Sequence, residues 1–189
     1  DFGNRMEAFC KLCDDFSHTQ HWEQAKAAAY KIEDNTLKTR ILIRLASDLA
    51  KLGEWEQAKS IWLEAMEIIR AHEVALSKTE MLIELGTMLA DVSRCEEAKS
   101  ICLEAEEVAY TIEEYGSRAY ILKEIAIVLI NAKAYKQMLY LVQHALLQAN
   151  NREAALMLLP LTTELIPLNP KIGIAMYEAF SWVDNFLKS

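Results

Sequence analysis

Glycine and proline are scarce in this chain of 189 residues, which contains five glycines and three prolines. The glycines stand at positions 3, 53, 86, 116 and 173, so no two are closer than 30 residues. Phosphate-binding loops need clustered glycines, and this spacing excludes both a P-loop and a dinucleotide-binding fingerprint. The prolines all fall near the end of the chain, where we expect a bend at Pro160 and the start of a last helix at Pro170.

Positive charge and long apolar runs are also limited. The chain has 20 Lys and Arg against 28 Asp and Glu, for a net charge of -8. Such a field repels phosphate backbones and anionic lipid headgroups, so we expect neither nucleic acid nor a membrane as a partner. The longest apolar stretches, 125–130 and 154–161, are far shorter than the roughly 20 residues that span a bilayer. These features predict a soluble protein.

The four cysteines fall at periodic apolar positions of predicted helices and are Cys10, Cys13, Cys95 and Cys102. Buried free thiols behave as small hydrophobic residues and are typical of a reducing compartment, so we predict a cytoplasmic protein. His18 and His21 follow the first two cysteines, and the four together have the composition of a zinc site. However, Cys13 aligns with small core positions of later repeats, which favours a structural role. We expect no metal and no cofactor.

Other groups that could carry chemistry have simpler interpretations. His72 and His144 lie near predicted helix ends, and no serine or cysteine is periodic with them as a nucleophile would require. The adjacent glutamates at 96–97, 106–107 and 113–114 are expected to form solvated helix faces with no burial to shift their pKa. The sequence therefore predicts that the protein is not an enzyme.

An internal repeat decides the architecture. The segments 54–70 and 94–110 read EWEQAKSIWLEAMEIIR and RCEEAKSICLEAEEVAY, and nine residues recur identically 40 positions apart. Leu45, Leu85 and Ile125 follow the same period. Upstream, an alignment of Trp22 with Trp55 shortens the period to 33, which would place seven missing residues between Tyr30 and Asn35. A fixed period of this size is typical of helical solenoids.

Each repeat contains two amphipathic helices, because its apolar residues recur at helical spacing on both sides of a short break. Gly53 stands at the break, where a left-handed helix cap favours glycine. We predict one all-α domain over 1–189, a solenoid of about five hairpins. Its ten helices are expected at 4–19, 21–33, 36–52, 54–71, 75–92, 94–112, 115–131, 133–149, 151–165 and 170–187, which pair into hairpins at 4–33, 36–71, 75–112, 115–149 and 151–187.

The repeat resembles the tetratricopeptide (TPR) family. The family's pattern of small residues and aromatics matches Leu45, Ala46, Leu49, Gly53, Trp55, Ala58, Trp62 and Ala65, and again Leu85, Gly86, Leu89, Ala98 and Ala105. This resemblance implies a right-handed superhelix, with Trp22, Trp55 and Trp62 as packing residues rather than an aromatic cage. The 40-residue period exceeds the family's usual 34 or so, and the closing proline is absent from the first four repeats.

Longer repeats of this kind resemble the TPR arrays of bacterial STAND-type NTPases, where such arrays serve as sensor or regulatory arms. The chain begins at Asp1 without an initiator methionine, and we expect it to be part of a larger signalling or scaffold protein. The resemblance implies a peptide or protein partner bound in a concave groove. That groove would present Arg40, Ile43, Arg44, Ser47, Lys51, Glu80, Ile83, Thr87, Asp91, Tyr120, Lys123, Ile127 and Asn131.

An alternative function is oligomerisation. The predicted last helix carries an apolar stripe that includes Ile172, Met176 and Phe180, with Trp182 nearby. Solenoid ends normally need a polar cap. An uncapped end would let chains self-associate through their terminal helices, which would make this a structural assembly element.

Overall fold

The computed structural model describes residues 22–148 and Ile174. Within residues 22–148 the chain forms seven α-helices and no strand: α1 (Trp22–Tyr30), α2 (Asn35–Lys51), α3 (Trp55–Arg70), α4 (Ala75–Asp91), α5 (Cys95–Ala109), α6 (Tyr115–Asn131) and α7 (Tyr135–Gln148). The predicted helix 4–19, the predicted last hairpin 151–187 and its bend at Pro160 lie outside the described residues, Ile174 excepted.

The helices repeat at the predicted interval. The helices α2, α4 and α6, here called the first helices, begin at positions 35, 75 and 115 and end at 51, 91 and 131. The second helices α3, α5 and α7 begin at 55, 95 and 135. All six agree with their predicted ranges to within three residues. The chain is all-α and forms a solenoid of stacked helix hairpins.

The turn inside each hairpin has one geometry. Gly53, Ser93 and Lys133 all have positive φ, at 87°, 63° and 57°. The residue that follows each of these three donates its backbone N–H to the carbonyl five residues earlier in the chain, as in Glu54 N to Leu49 O at 2.9 Å. This hydrogen bond satisfies a carbonyl group at the end of the helix. The helix C-cap motif requires a residue in the left-handed conformation at this place. The left-handed cap expected at Gly53 is confirmed.

Two of the three turns between the described hairpins end in a residue whose side chain caps the following helix. Asp34 Oδ1 accepts a hydrogen bond from the backbone N–H of Leu37 at 2.8 Å, as an N-cap residue does. Glu114 plays this part for α6 by accepting from the N–H groups of Gly116 and Ser117. A hydrogen bond from the Ser117 side chain, together with those from the backbone N–H groups of Ser117 and Gly116, lowers the pKa of the Glu114 carboxyl. The equivalent residue before α4 is Val74, which has no side-chain acceptor.

Stacking of the hairpins builds a continuous core. Each first helix packs against the second helices before and after it, and α4 also lies between α2 and α6. Leu49, Leu89 and Leu129 occupy equivalent positions, and all three are fully buried. Burial of a leucine side chain stabilises the fold by roughly 1.5 to 3 kcal/mol, so every repeat adds a similar increment.

Small residues allow the helices to approach closely. Ala46, Gly86 and Ala126 are equivalent and buried, as are Ala58 and Ala98. A Cβ atom built on Gly86 would lie 3.2 Å from Val128 Cγ1 on the neighbouring first helix, which is tighter than most real contacts. Gly86, one of the small residues on which the TPR resemblance rests, therefore lies at a close approach of two first helices.

The predicted shortening between Tyr30 and Asn35 is wrong. Four residues join α1 to α2, the same number that joins α3 to α4. Tyr30 hydrogen-bonds to Glu64 and Arg70 to Glu104, and both pairs are separated by 34 residues. The 40-residue register therefore extends back to α1, and Trp22 is equivalent to Trp62 rather than to Trp55.

Candidate functional site

The first helices place equivalent residues side by side across the stack. Positions 40, 80 and 120 hold Arg40, Glu80 and Tyr120, and all three side chains are exposed. The last residues of these helices, Lys51, Asp91 and Asn131, are exposed as well. We call this surface the first-helix face, defined by positions 40, 44 and 51 and their equivalents 40 and 80 residues later, together with Ile127 of α6. It carries basic, acidic and aromatic groups within one strip.

Arg40 connects two first helices. Its Nη2 lies 3.6 Å from Oε2 of Glu80, and its Nε lies 3.4 Å from Oε2 of Glu84. The three side chains are each between 42% and 49% exposed, so water screens these pairs and each adds little to stability. Such groups can change partners at low free-energy cost, as a recognition surface requires.

Glu84 is a half-buried carboxyl of this face. Burial raises the pKa of its carboxyl, and the positive charges of Arg40 and Arg44 oppose that rise. Glu84 and its equivalent Glu124 were not among the predicted groove residues. Glu84 stands 40 residues after Arg44, and Glu124 stands 80 residues after it. The 40-residue register therefore contained the signal that would have identified both glutamates.

Two predicted groove residues are misplaced. Ile43 is only 2% exposed and Ser47 9%, so both belong to the buried side of α2. Thr39 is fully buried, and Ile43 and Ser47 follow it at intervals of four residues. Residues with this spacing lie on the same side of a helix. The equivalent residues Ile83 and Thr87 are half-buried, which puts this stripe at the edge of the first-helix face rather than at its centre.

The helix α6 supplies the exposed apolar part of the face. Tyr120 is 51% exposed and Ile127 is 38% exposed. Lys123 Nζ lies 5.1 Å from the centre of the Tyr120 ring and 3.2 Å from Oε1 of Glu124. The surface of α6 thus combines an exposed aromatic ring with a cation beside it and an exposed aliphatic side chain, which suits a peptide of mixed character.

A second cluster joins α5 to α7. The rings of Tyr110 and His144 are 4.7 Å apart, and Nδ1 of His144 lies 3.9 Å from Oε1 of Glu106. Burial raises the pKa of Glu106 and raises those of Tyr110 and Cys102 to about 12, in both cases with help from the Glu106 charge. The expectation that no burial would shift the pKa values of the paired glutamates is therefore wrong at Glu106.

That cluster has the features of packing rather than of a nucleophile. A thiol whose pKa is raised to about 12 is protonated at neutral pH, and the thiolate is the reactive form. Cys95 and Cys102 are both free thiols, and Cys102 is buried as expected. Within residues 22–148, no group of three or more His, Cys, Asp or Glu side chains is placed to hold a metal ion. Cys10, Cys13, His18 and His21 lie outside the described residues.

The helices in the described part of the chain include none that is both long and apolar enough to cross a bilayer. The predicted packing of the tryptophans agrees with the structure, in which Trp55 and Trp62 lie with ring centres 6.4 Å apart and both pack against the core. Trp182 is outside the described residues.

No protein-family model and no curated protein matches the sequence. Among solved structures, the chain is similar to Ton1535 from Thermococcus onnurineus NA1, with a TM-score of 0.65 and 17% sequence identity. The similarity covers 92% of this chain and 56% of Ton1535, so this chain spans just over half the length of that protein. At this level of identity the comparison establishes a shared fold, the all-α arrangement of stacked hairpins.

Proposed function

We propose that this chain is a protein-interaction module that binds a peptide or protein partner along the first-helix face. The observation that carries the proposal is the row formed by Arg40, Glu80 and Tyr120 on three adjacent helices. Equivalent backbone positions hold unlike side chains there, whereas the equivalent core positions 49, 89 and 129 all hold leucine. Variation at surface positions of a regular scaffold is what residue-by-residue recognition of a partner requires.

The charge of the face specifies the type of partner. Arg40 and Arg44 stand on α2, Glu80 and Glu84 on α4, and Tyr120 with Ile127 on α6. An extended peptide that crosses the three helices would meet a basic, then an acidic, then an aromatic and aliphatic surface. The matching ligand has an acidic residue, a basic residue and an apolar residue in that order.

The TPR resemblance and the long repeat support a wider setting. We propose that the module is a right-handed, TPR-like sensor or scaffold arm of a larger signalling protein, of which a STAND-type NTPase is the example that the repeat length favours. In such a protein the concave groove would be the first-helix face, and the nucleotide site would lie on another part of the polypeptide.

The test uses the full 189-residue chain as bait in a lysate of its native source, with the captured protein identified by mass spectrometry. The variant Tyr120→Ala with Ile127→Ser removes the apolar part of the face. Leu63→Ser with Leu103→Ser is the matched control, because these two leucines are exposed on second helices. We expect the first variant to lose most of the captured partner and the control to keep it.

Equal capture by both variants would exclude the first-helix face. Light scattering on the chain alone distinguishes the alternative function. A monomer that captures a partner fits the interaction module, whereas a dimer or polymer that grows with concentration and captures nothing would make the chain an assembly element.

A further inference from the structure

The second helices α3 and α5 carry the same residues on their exposed sides. Of the nine residues that recur identically 40 positions apart, only Ala58, Ile61 and Ala65 are buried together with their equivalents. Five others lie on the outer side of the helix. We call the second-helix strip the set formed by Glu56, Lys59, Ser60, Leu63 and Glu67 with their equivalents 40 residues later. All ten residues are exposed except Lys99, which is half-buried.

The inner sides of the same two helices differ from each other. The unlike pairs at three equivalent inward positions are Trp62 and Cys102, Met66 and Glu106, and Ile69 and Ala109. Substitutions in a core change stability far more than substitutions at exposed positions do. If stability alone constrained these helices, their inner residues would be the ones that stay alike. The opposite pattern favours a contact between the exposed residues and another molecule.

The exposed sides of the first helices show no such identity. Between α2 and α4 the charge reverses at three positions, where Arg40, Arg44 and Lys51 are followed by Glu80, Glu84 and Asp91. None of the residues of the second-helix strip belongs to the first-helix face. The strip is therefore a separate surface, and it does not depend on the function proposed for that face.

The identical surface is limited to two neighbouring helices. The positions equivalent to Leu63 hold Glu23 on α1 and Gln143 on α7, so the strip ends with α3 on one side and α5 on the other. The ion pair of Arg70 with Glu104, at 2.9 Å, joins these two helices. The chain thus presents two copies of one surface side by side.

Each copy of the strip has an apolar centre between two opposite charges. Leu63 is 52% exposed and Leu103 is 44% exposed. Lys59 stands four residues before Leu63 and Glu67 four residues after it, so the three share one side of α3. Four residues span about 6 Å along a helix axis. Across α3 and α5 the strip therefore has a row of leucines with a row of lysines on one side and a row of glutamates on the other.

The spacing of the two leucines selects the secondary structure of a matching partner. Packed neighbouring helices have axes about 10 Å apart. Residues seven positions apart on a helix are separated by about 10.5 Å and lie on the same side. Residues about 10 Å apart on a strand are three positions apart and point to opposite faces. A helix that lies across α3 and α5 can therefore contact both leucines, and an extended strand cannot.

We propose that the second-helix strip binds an amphipathic helix of a partner protein that lies across α3 and α5. Two apolar residues of that helix, seven positions apart, contact Leu63 and Leu103. One flank of the helix is basic and faces the row of glutamates. The other flank is acidic and faces the row of lysines, so charge complementarity fixes the direction of the bound helix.

The probe is the helical peptide acetyl-AAAELRQAAAELRQAAAY-amide, whose two leucines are seven positions apart, with glutamate on one flank and arginine on the other. It is added to the full ¹⁵N-labelled chain while the backbone N–H resonances of Leu63 and Leu103 are followed by NMR. We expect a saturable shift with a dissociation constant on the order of 100 µM. A control peptide of the same composition has its second leucine three positions nearer to the first. It should bind about tenfold more weakly, because only one of its leucines can meet the row.

Matched charge variants of the chain locate the site. Glu67→Lys with Glu107→Lys should weaken binding of the probe about fivefold. Glu73→Lys with Glu113→Lys makes the same charge change in the turns before α4 and α6 and should leave binding unchanged. All four glutamates are exposed, so neither double change threatens folding. A probe with glutamate in place of both arginines should bind the Glu67→Lys, Glu107→Lys variant about fivefold more tightly than it binds the wild type.

The leucines are tested in the same way. Leu63→Ser with Leu103→Ser leaves the first-helix face unaltered and should weaken binding of the probe about tenfold. The proposal is overturned if neither leucine resonance shows a saturable shift up to about 1 mM probe. It is equally overturned if the control peptide binds as well as the probe, or if the two charge variants behave alike.

Discussion

Arg70 and Glu104 form a two-point contact between consecutive second helices, with Nε to Oε1 at 3.0 Å and Nη2 to Oε2 at 2.9 Å. The same 34-residue separation relates Tyr30 to Glu64 and Tyr110 to His144. A different chemical pair thus fills one structural position at each of three successive interfaces: a phenol with a carboxylate, a guanidinium with a carboxylate, and a phenol with an imidazole. The position keeps the stack in register while its chemistry varies.

The Arg70–Glu104 contact should be measurable as a coupling energy. We expect Glu104→Gln to lower the free energy of unfolding by about 1 kcal/mol, because an exposed but bidentate pair lies at the upper end of the usual range. Urea denaturation of Arg70→Met, Glu104→Gln and the double variant would give the coupling. A coupling energy of zero would show that the contact contributes nothing, and a coupling that is unaffected by about 0.5 M salt would show that the contribution is not electrostatic.

Glu104 and Glu106 should respond oppositely to pH, although they stand two residues apart on α5. The hydrogen bond with Arg70 lowers the pKa of Glu104, so its contribution to stability is present above the pKa of the unfolded chain and is lost as pH falls through the folded pKa. Burial raises the pKa of Glu106, so its contribution is present below the unfolded pKa and is lost as pH rises through the folded pKa.

The variants should therefore separate at neutral pH. Glu106→Gln is expected to raise the free energy of unfolding at about pH 7.5, because the wild-type protein then carries a charged carboxylate whose burial disfavours the charged form. Glu104→Gln is expected to lower it. Towards about pH 4 the gain from Glu106→Gln should disappear, because the wild-type carboxyl is then protonated too. Thermal melting across this range checks both signs, and a loss of stability in both variants at pH 7.5 would contradict the assignment of Glu106.

The sequence predicted the helices from α2 to α7 well and the register of α1 poorly, for a physical reason. The motif Trp-x-x-Ala occurs twice within α3, at Trp55 with Ala58 and at Trp62 with Ala65. The same motif at Trp22 with Ala25 fits either copy. Two turns of helix separate the copies, so both choices preserve the apolar periodicity, and only contacts between helices, such as Tyr30 with Glu64, distinguish them.

The predicted groove illustrates a similar limit. Helical periodicity identified Arg40, Glu80 and Tyr120 as equivalent, and the structure brings them onto neighbouring helices. The periodicity of the sequence could not show that Ile43 and Ser47 are buried while Ile127 is exposed. Burial at the edge of a helix face depends on the neighbouring helices in the stack. The helix's own pattern carries no information about those neighbours.

The left-handed turn position offers a stability prediction. Ser93 and Lys133 adopt positive φ, a conformation that costs a residue with a Cβ roughly 1 kcal/mol. Ser93→Gly and Lys133→Gly should each raise the free energy of unfolding by about 0.5 to 1 kcal/mol, and Gly53→Ala should lower it by about as much. Ser100→Gly is the control, because it lies inside α5 where glycine should destabilise. The turn assignment fails if the glycine variants at 93 and 133 behave like the control.

The small residues at the helix crossings should tolerate no enlargement. Ala58 and Ala98 are 2% and 0% exposed and occupy equivalent positions in consecutive second helices. Ala58→Leu and Ala98→Leu should each cost roughly 1 to 3 kcal/mol, because extra methylenes at a packed crossing force the helices apart. Lys59→Leu, on the exposed side of α3, should be close to neutral. If Ala58→Leu and Ala98→Leu had no effect on stability in urea denaturation, the assigned 40-residue register would not describe the packing.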